Sequence, residues 1–137
     1  EPSRDGRPIA NNVEGGKRPR SSMAPTIVFD QARRPILAVG SAGGPSIIAT
    51  VTKTLIENLD WKRDIQSAIE APNFANRNGP TELESDTALD ALRAPLEAMG
   101  HAVVLTDIPS GLQGIAIEGR KLYGGADPRR EGVALGE

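Results

Sequence analysis

Gly40-Ser41-Ala42-Gly43-Gly44-Pro45-Ser46 is a glycine turn set between two apolar stretches. Ile36-Leu37-Ala38-Val39, in front of it, is short enough for a buried strand. Ile47-Ile48-Ala49-Thr50-Val51-Thr52-Lys53-Thr54-Leu55, behind it, reads as the start of a helix. Where a strand turns through glycines into a helix, the first backbone N–H groups of the helix point outward without partners. That geometry holds a negative oxygen, carried by a ligand or formed in a transition state. Two other readings stand beside it. The glycines serve strand-to-helix geometry alone, supplying positive φ; or the turn is a phosphate loop, which the lack of a closing Gly-Lys-Ser/Thr disfavours.

Upstream, Thr26-Ile27-Val28-Phe29-Asp30 is a strand by its β-branched content. Gln31 to Arg34 turn the chain, and Pro35 to Gly40 return as a second strand, so the two pair antiparallel. Before this hairpin stands Lys17-Arg18-Pro19-Arg20-Ser21-Ser22-Met23-Ala24-Pro25-Thr26. It is either a solvated basic turn or a clamp whose hydroxyls and N–H groups bind a carboxylate. Residues 1–16 carry no hydrophobic period and read as an extended arm or loop.

Downstream, Ile48, Val51, Leu55 and Leu59 form an apolar stripe, and Asp60-Trp61-Lys62-Arg63 breaks it. Asp64 caps a second helix with Ile65, Ala68 and Ile69 inward, and Pro72 ends it at or before Ala71. Asn73 to Leu83 reads as loop and one short strand. Ser85 or Asp86 caps a third helix with stripe Leu89, Leu92, Leu96 and Met99. Pro95 should kink that helix near Ala91, and Gly100 stops it. Strands follow at Ala102 to Thr106, Leu112 to Glu118 and Lys121 to Gly124. Asp127-Pro128-Arg129-Arg130 opens a tail that is either exposed or an ion-paired plug on the fold. Hairpins around a block of helices favour antiparallel sheet with helices layered on it.

The 137 residues form one domain, 38% hydrophobic, with only Phe29, Trp61, Phe74 and Tyr123 as aromatics, so the core is aliphatic. A formal charge of -2 with mixed signs argues against a nucleic-acid partner. There is no cysteine, and His101 is the only histidine, so no metal-ligand spacing exists and no metal or cofactor is expected. No apolar run reaches the roughly 18 residues of a membrane span. The chain opens on Glu1 rather than Met, as a processed product or fragment would.

Three stretches in register, residues 17–26, 40–44 and 127–130, make the chain resemble the C-terminal part of the small subunit of gamma-glutamyltranspeptidases, from about Gly16 to the end. The resemblance implies an N-terminal nucleophile hydrolase: α+β, part of a four-layer αββα sandwich with antiparallel sheets. In that family a precursor cuts itself, and a Thr becomes the small subunit's first residue. Its hydroxyl attacks the γ-amide of glutathione or a similar γ-glutamyl compound, with its own α-amine as base. The acyl group then passes to water or an amino acid.

Residue by residue, the resemblance assigns Ser21 and Ser22 to the glutamyl α-carboxylate and the N–H groups of Gly43 and Gly44 to the oxyanion hole. It implies as partners the large subunit of the same precursor, the N-terminal part of the small subunit, and a γ-glutamyl substrate. It also implies a periplasmic or secreted location. The nucleophilic Thr is not in this chain, which alone is expected to be inactive. The chain departs from the family pattern in three places. Pro45-Ser46 stands where Ser-Arg is usual. Asn73-Phe74-Ala75-Asn76-Arg77 replaces a loop that often carries two histidines. The upstream residues that read the substrate amine are not in the sequence. The alternatives are a non-catalytic glutamate- or anion-binding domain derived from the family, or a related acylase or amidohydrolase.

Overall fold

The computed structural model describes residues 12–136; most of the arm expected over 1–16 lies outside them. The hairpin forms as the sequence dictates. Strand β1 (Thr26–Phe29) pairs antiparallel with β2 (Pro35–Gly40), Thr26 opposite Val39 and Val28 opposite Leu37. The turn between them is fastened by Asp30, whose carboxylate accepts from the N–H and the guanidinium of Arg34. A single 3-10 turn, Gly44–Ser46, leads into α1 (Ile47–Leu55), which ends in a π-turn over Ile56–Asp60. Helix α2 (Ile65–Glu70) starts at Asp64, whose carboxylate accepts from the Ser67 N–H.

The remaining elements are β3 (Phe74–Asn76), β4 (Thr81–Glu84), a 3-10 turn Ala88–Leu92, α3 (Arg93–Ala98), β5 (Val103–Thr106), β6 (Gln113–Glu118) and β7 (Lys121–Ala126). Four strands make one sheet in the order β1-β2-β6-β7, every pair antiparallel. The other three make a small sheet, β3-β4-β5.

Helices α1 and α2 cover one face of the large sheet. Leu37, Val39, Ile47, Val51, Ile65, Ile69, Leu112 and Ala116 form the core between them. Two glycines let α2 lie close. A Cβ on Gly114 would stand 2.9 Å from Ile65, and one on Gly125 would stand 2.8 Å from Ile69. The opposite face of the same sheet is apolar and mostly open: Ile27, Phe29, Ile115 and Leu122 are all exposed, and Ala134 of the tail lies against it beside Gly124.

Four expectations need correction. The stripe on α1 is shifted. Ile48 is 58% exposed and Ile47 takes its place inside, next to Val51. Thr50 and Thr54 are buried too, because their hydroxyls bond back to the carbonyls of Ile47 and Thr50 and so carry no unmet polarity inward. Second, the third helix is capped by Thr87, whose hydroxyl accepts from the Leu89 N–H, rather than by Ser85 or Asp86. No continuous α-helix spans the kink expected near Ala91. The chain runs as a 3-10 turn up to Leu92, and Pro95 falls in the first turn of α3, where a missing N–H costs nothing. Leu92 and Met99 stay exposed rather than forming a buried stripe. The stop at Gly100 is as expected, with φ 93° and the His101 N–H bonded to the Leu96 carbonyl.

Third, Asn73 to Leu83 yields two strands, β3 and the start of β4, joined through Asn78 at φ 62°. Fourth, not every strand pair is antiparallel. β4 and β5 run parallel, because the connection through α3 is long enough to carry the chain back to the same end.

Candidate functional site

The glycine turn is built from both sides. On its own chain, Gly43 adopts φ 127° and Gly44 φ 58°, conformations that disfavour any residue with a Cβ. Pro45 takes the first turn of the 3-10 segment, where its fixed φ suits a helix start. The first helical bond runs from the Ser46 N–H to the Gly43 carbonyl. The N–H groups of Gly43 and Gly44 precede it, and neither donates to another of the described residues. They remain a pair of adjacent unused donors.

From behind, the turn rests on residues 109–111. A Cβ on Gly43 would meet the Pro109 carbonyl oxygen at 2.5 Å, so only glycine fits that contact. The Ala42 N–H donates to the Gly111 carbonyl at 3.1 Å. The Gly111 N–H reaches the Ser41 hydroxyl oxygen at 3.4 Å, and that hydroxyl donates to the Ala42 carbonyl at 2.6 Å.

That backing loop is held by the Asp-Pro-Arg-Arg segment, which is a plug and not an exposed tail. Asp127 is fully buried. Its carboxylate accepts from the Ser110 hydroxyl at 2.5 Å, the Leu112 N–H at 3.0 Å and the Arg129 N–H at 3.0 Å. Burial pushes the Asp127 carboxyl up, but these hydrogen bonds and the Arg129 guanidinium outweigh it and hold the group below its ordinary value. Arg129 grips Glu84 with two bonds, Nε to Oε1 at 2.5 Å and Nη2 to Oε2 at 2.8 Å, and reaches the carbonyls of Ile69, Glu70 and Ala71. Arg130 donates to the Ser110 carbonyl at 2.8 Å.

Lys53 comes to the same place from α1. Its ammonium donates to the carbonyls of Ala68, Ile69 and Ala71, the unsatisfied end of α2. Burial and the nearby Arg129 charge lower its pKa to about 8.

The serine pair is positioned differently. Thr26 sits opposite Val39; Ser22 lies four residues before the first and Gly43 four residues after the second. The antiparallel hairpin therefore carries both pairs to one end of the sheet. Ser21 is exposed, and among the described residues its hydroxyl accepts from the Met23 N–H alone, at 3.3 Å; Ser22 is half-buried. Four surface cavities of 510 to 700 Å³ lie elsewhere among the described residues, lined by neither pair.

Sequence reasoning missed Ser110, Asn73, Glu84 and Lys53. Asn73 is fully buried, and its amide donates to the Ser110 hydroxyl at 2.9 Å. The only signal was indirect: a polar Pro-Ser-Gly turn next to a strand, and a lysine on an apolar helix. Among the described residues no group of three His, Cys, Asp or Glu could hold a metal ion, and His101 is exposed.

A solved acivicin-inhibited gamma-glutamyltranspeptidase superposes on this arrangement of sheets and helices, and the likeness puts the fold among the N-terminal nucleophile hydrolases. Its TM-score is 0.81 at 31% identity, over 96% of this chain and 73% of that one; its C-terminus is described as critical for autoprocessing and catalysis. The sequence model "Gamma-glutamyltranspeptidase" matches residues 3–137, and the chain belongs to that family. It is 36% identical to the glutathione hydrolase proenzyme of Bacillus subtilis (strain 168), over 93% of this chain and 22% of that protein. It is 38% identical to the glutathione hydrolase proenzyme of Escherichia coli (strain K12), over 88% of this chain and 21% of that protein. The chain thus spans about a fifth of the length of these curated relatives.

Proposed function

We propose that this chain is the C-terminal part of the small subunit of a gamma-glutamyltransferase or hydrolase. It supplies the oxyanion hole through the Gly43 and Gly44 N–H groups and holds the substrate α-carboxylate with Ser21 and Ser22. The nucleophile, a Thr with a free α-amine, comes from the upstream part of the small subunit. Its hydroxyl adds to the γ-carbonyl of a glutathione-like amide, and the amine takes the proton. The carbonyl oxygen becomes an anion at the two glycine donors, which are fixed before the reaction and need no reorganisation. The amide nitrogen leaves with the proton, and water or an amino acid then takes the glutamyl group from the Thr ester.

The observation that carries this reading is the hairpin register. It brings two unused backbone donors and two adjacent hydroxyls to one sheet end, the pairing needed to grip a carbonyl and a carboxylate of one small substrate. The open apolar face of the large sheet supports the partners in the reading. Ile27, Phe29, Ile115 and Leu122 are the kind of surface that a second sheet, from the large subunit and the rest of the small one, would cover. Export to the periplasm or the exterior belongs to the same proposal; no helix among the described residues is long and apolar enough to cross a membrane.

The test uses a γ-glutamyl anilide. The 137-residue chain alone should release no aniline, whereas the same chain joined to its upstream segment and large subunit should. Clear turnover by the pure chain would refute the placing of the nucleophile. A precursor with no Thr that becomes an N-terminus would remove the enzymatic reading altogether.

A further inference from the structure

We propose that Ser110 is a positioning residue for the reaction: its hydroxyl, tied on both sides, sets the backing loop that fixes the direction of the Gly43 and Gly44 amides. This rests on reading those amides as the oxyanion hole. Ser110 never approaches the substrate. It acts through Pro109 and Gly111.

Ser110 is fully buried and uses its hydroxyl twice, donating to Asp127 at 2.5 Å and accepting from the Asn73 amide at 2.9 Å. Its carbonyl accepts from Arg130 at 2.8 Å, so the residue is held at both main chain and side chain. The neighbours on either side meet the turn. The Pro109 carbonyl occupies the space that a Gly43 side chain would need, and the Gly111 carbonyl accepts from the Ala42 N–H. A rotation of this loop would therefore turn the Ala42–Gly43 peptide with it. An oxyanion donor displaced by a fraction of an ångström loses much of its value, because its bond must be made to an atom that carries charge only in the transition state. Among the described residues neither Ser21 nor Ser22 hydrogen-bonds to the loop, so substrate capture should not depend on it. Three elements far apart in sequence converge here: the strand-leading Asn73, the 109–111 loop and Asp127.

In the assembled enzyme, Ser110→Ala is predicted to lower kcat about tenfold with KM within twofold, and Ser110→Thr, which keeps the hydroxyl, to restore it. Gly43→Ala is made alongside, since its Cβ pushes the turn off Pro109; it should lower kcat more. The proposal fails if Ser110→Ala keeps kcat within twofold while Gly43→Ala does not, if KM rises in step with the loss, or if Thr does not rescue. If neither substitution moves kcat, the oxyanion assignment itself is wrong and this inference falls with it. Should Ser110→Ala not fold, Ser110→Cys, which fills nearly the same space with a weak donor and acceptor, is read by the same split. A loss of kcat at constant KM supports the proposal, and unchanged kcat overturns it.

Discussion

The glycine turn and the serine segment start from the same cross-strand pair, Thr26 and Val39, yet they are secured in opposite ways. Behind Gly43 stand a carbonyl in van der Waals contact, a backbone hydrogen bond one residue away and a buried carboxylate holding the loop that makes both. Among the described residues Ser21 has a single exposed local bond, and the nearby cation Lys17 pairs with Glu14 in solvent. The difference follows from what each half is proposed to do. A donor to a developing anion must be rigid before the charge appears. A clamp on a carboxylate already charged in the ground state gains by closing when substrate and the rest of the protein arrive.

The largest way to break the contrast is to empty the anchor. Asp127→Ala removes the acceptor of Ser110, of Leu112 and of two Arg129 donors, and leaves the guanidinium short of a partner. Loss of one side of a buried ionic network typically costs 3–5 kcal/mol, and Asp127 is fully buried. We expect a stability loss of about 3 kcal/mol in denaturant titrations. A loss below about 1 kcal/mol would show that the plug is held by packing alone.

The clamp should respond in the opposite sense. Ser21→Ala and Ser22→Ala each remove a hydroxyl from a site with little internal bonding, so stability should change by no more than about 0.5 kcal/mol. Each should raise KM for a γ-glutamyl amide about tenfold, the value of one hydrogen bond to a charged group, and leave kcat nearly unchanged. A fall in kcat at constant KM would place the serines at the reacting carbonyl and dissolve the division of labour.

The same contrast separates what was legible in the sequence from what was not. The hairpin, the turn and the Asp64 cap are local: β-branched runs, glycines and a carboxylate three residues ahead of the N–H it accepts from define them without reference to the rest of the chain. The site assignments at Gly43, Gly44, Ser21 and Ser22 came from resemblance, and only the hairpin register gives them a physical reason to be neighbours. The anchor was illegible because it is long-range: Glu84 and Arg129 are 45 residues apart, and Asn73 and Ser110 are 37 apart. The misplaced stripe on α1 has another cause. A three-and-four spacing fits residues 48, 51, 55 and 59 as well as the face that is buried, and threonines that bond back to their own helix conceal how deep they lie.

The smallest effect sharpens the comparison by pH. Lys53 is 4% exposed and braces the end of α2 beside Arg129, so it belongs to the anchored half. With a folded pKa of about 8 against an ordinary 10.5, the folded protein gives up this proton before the unfolded chain does. Between those values the unfolded state binds more protons, so this residue makes stability rise with pH, from about 8 up to 10.5. The gain from Lys53 between pH 8 and pH 9 should be about 1 kcal/mol. It is isolated by subtracting the profile of Lys53→Met, which carries no proton to lose. The difference in unfolding free energy should climb across that window while the KM of the two proteins keeps the same pH dependence, since the clamp lies outside Lys53's reach. A flat difference would mean that the ammonium stays charged among its three carbonyls and that they outweigh its burial.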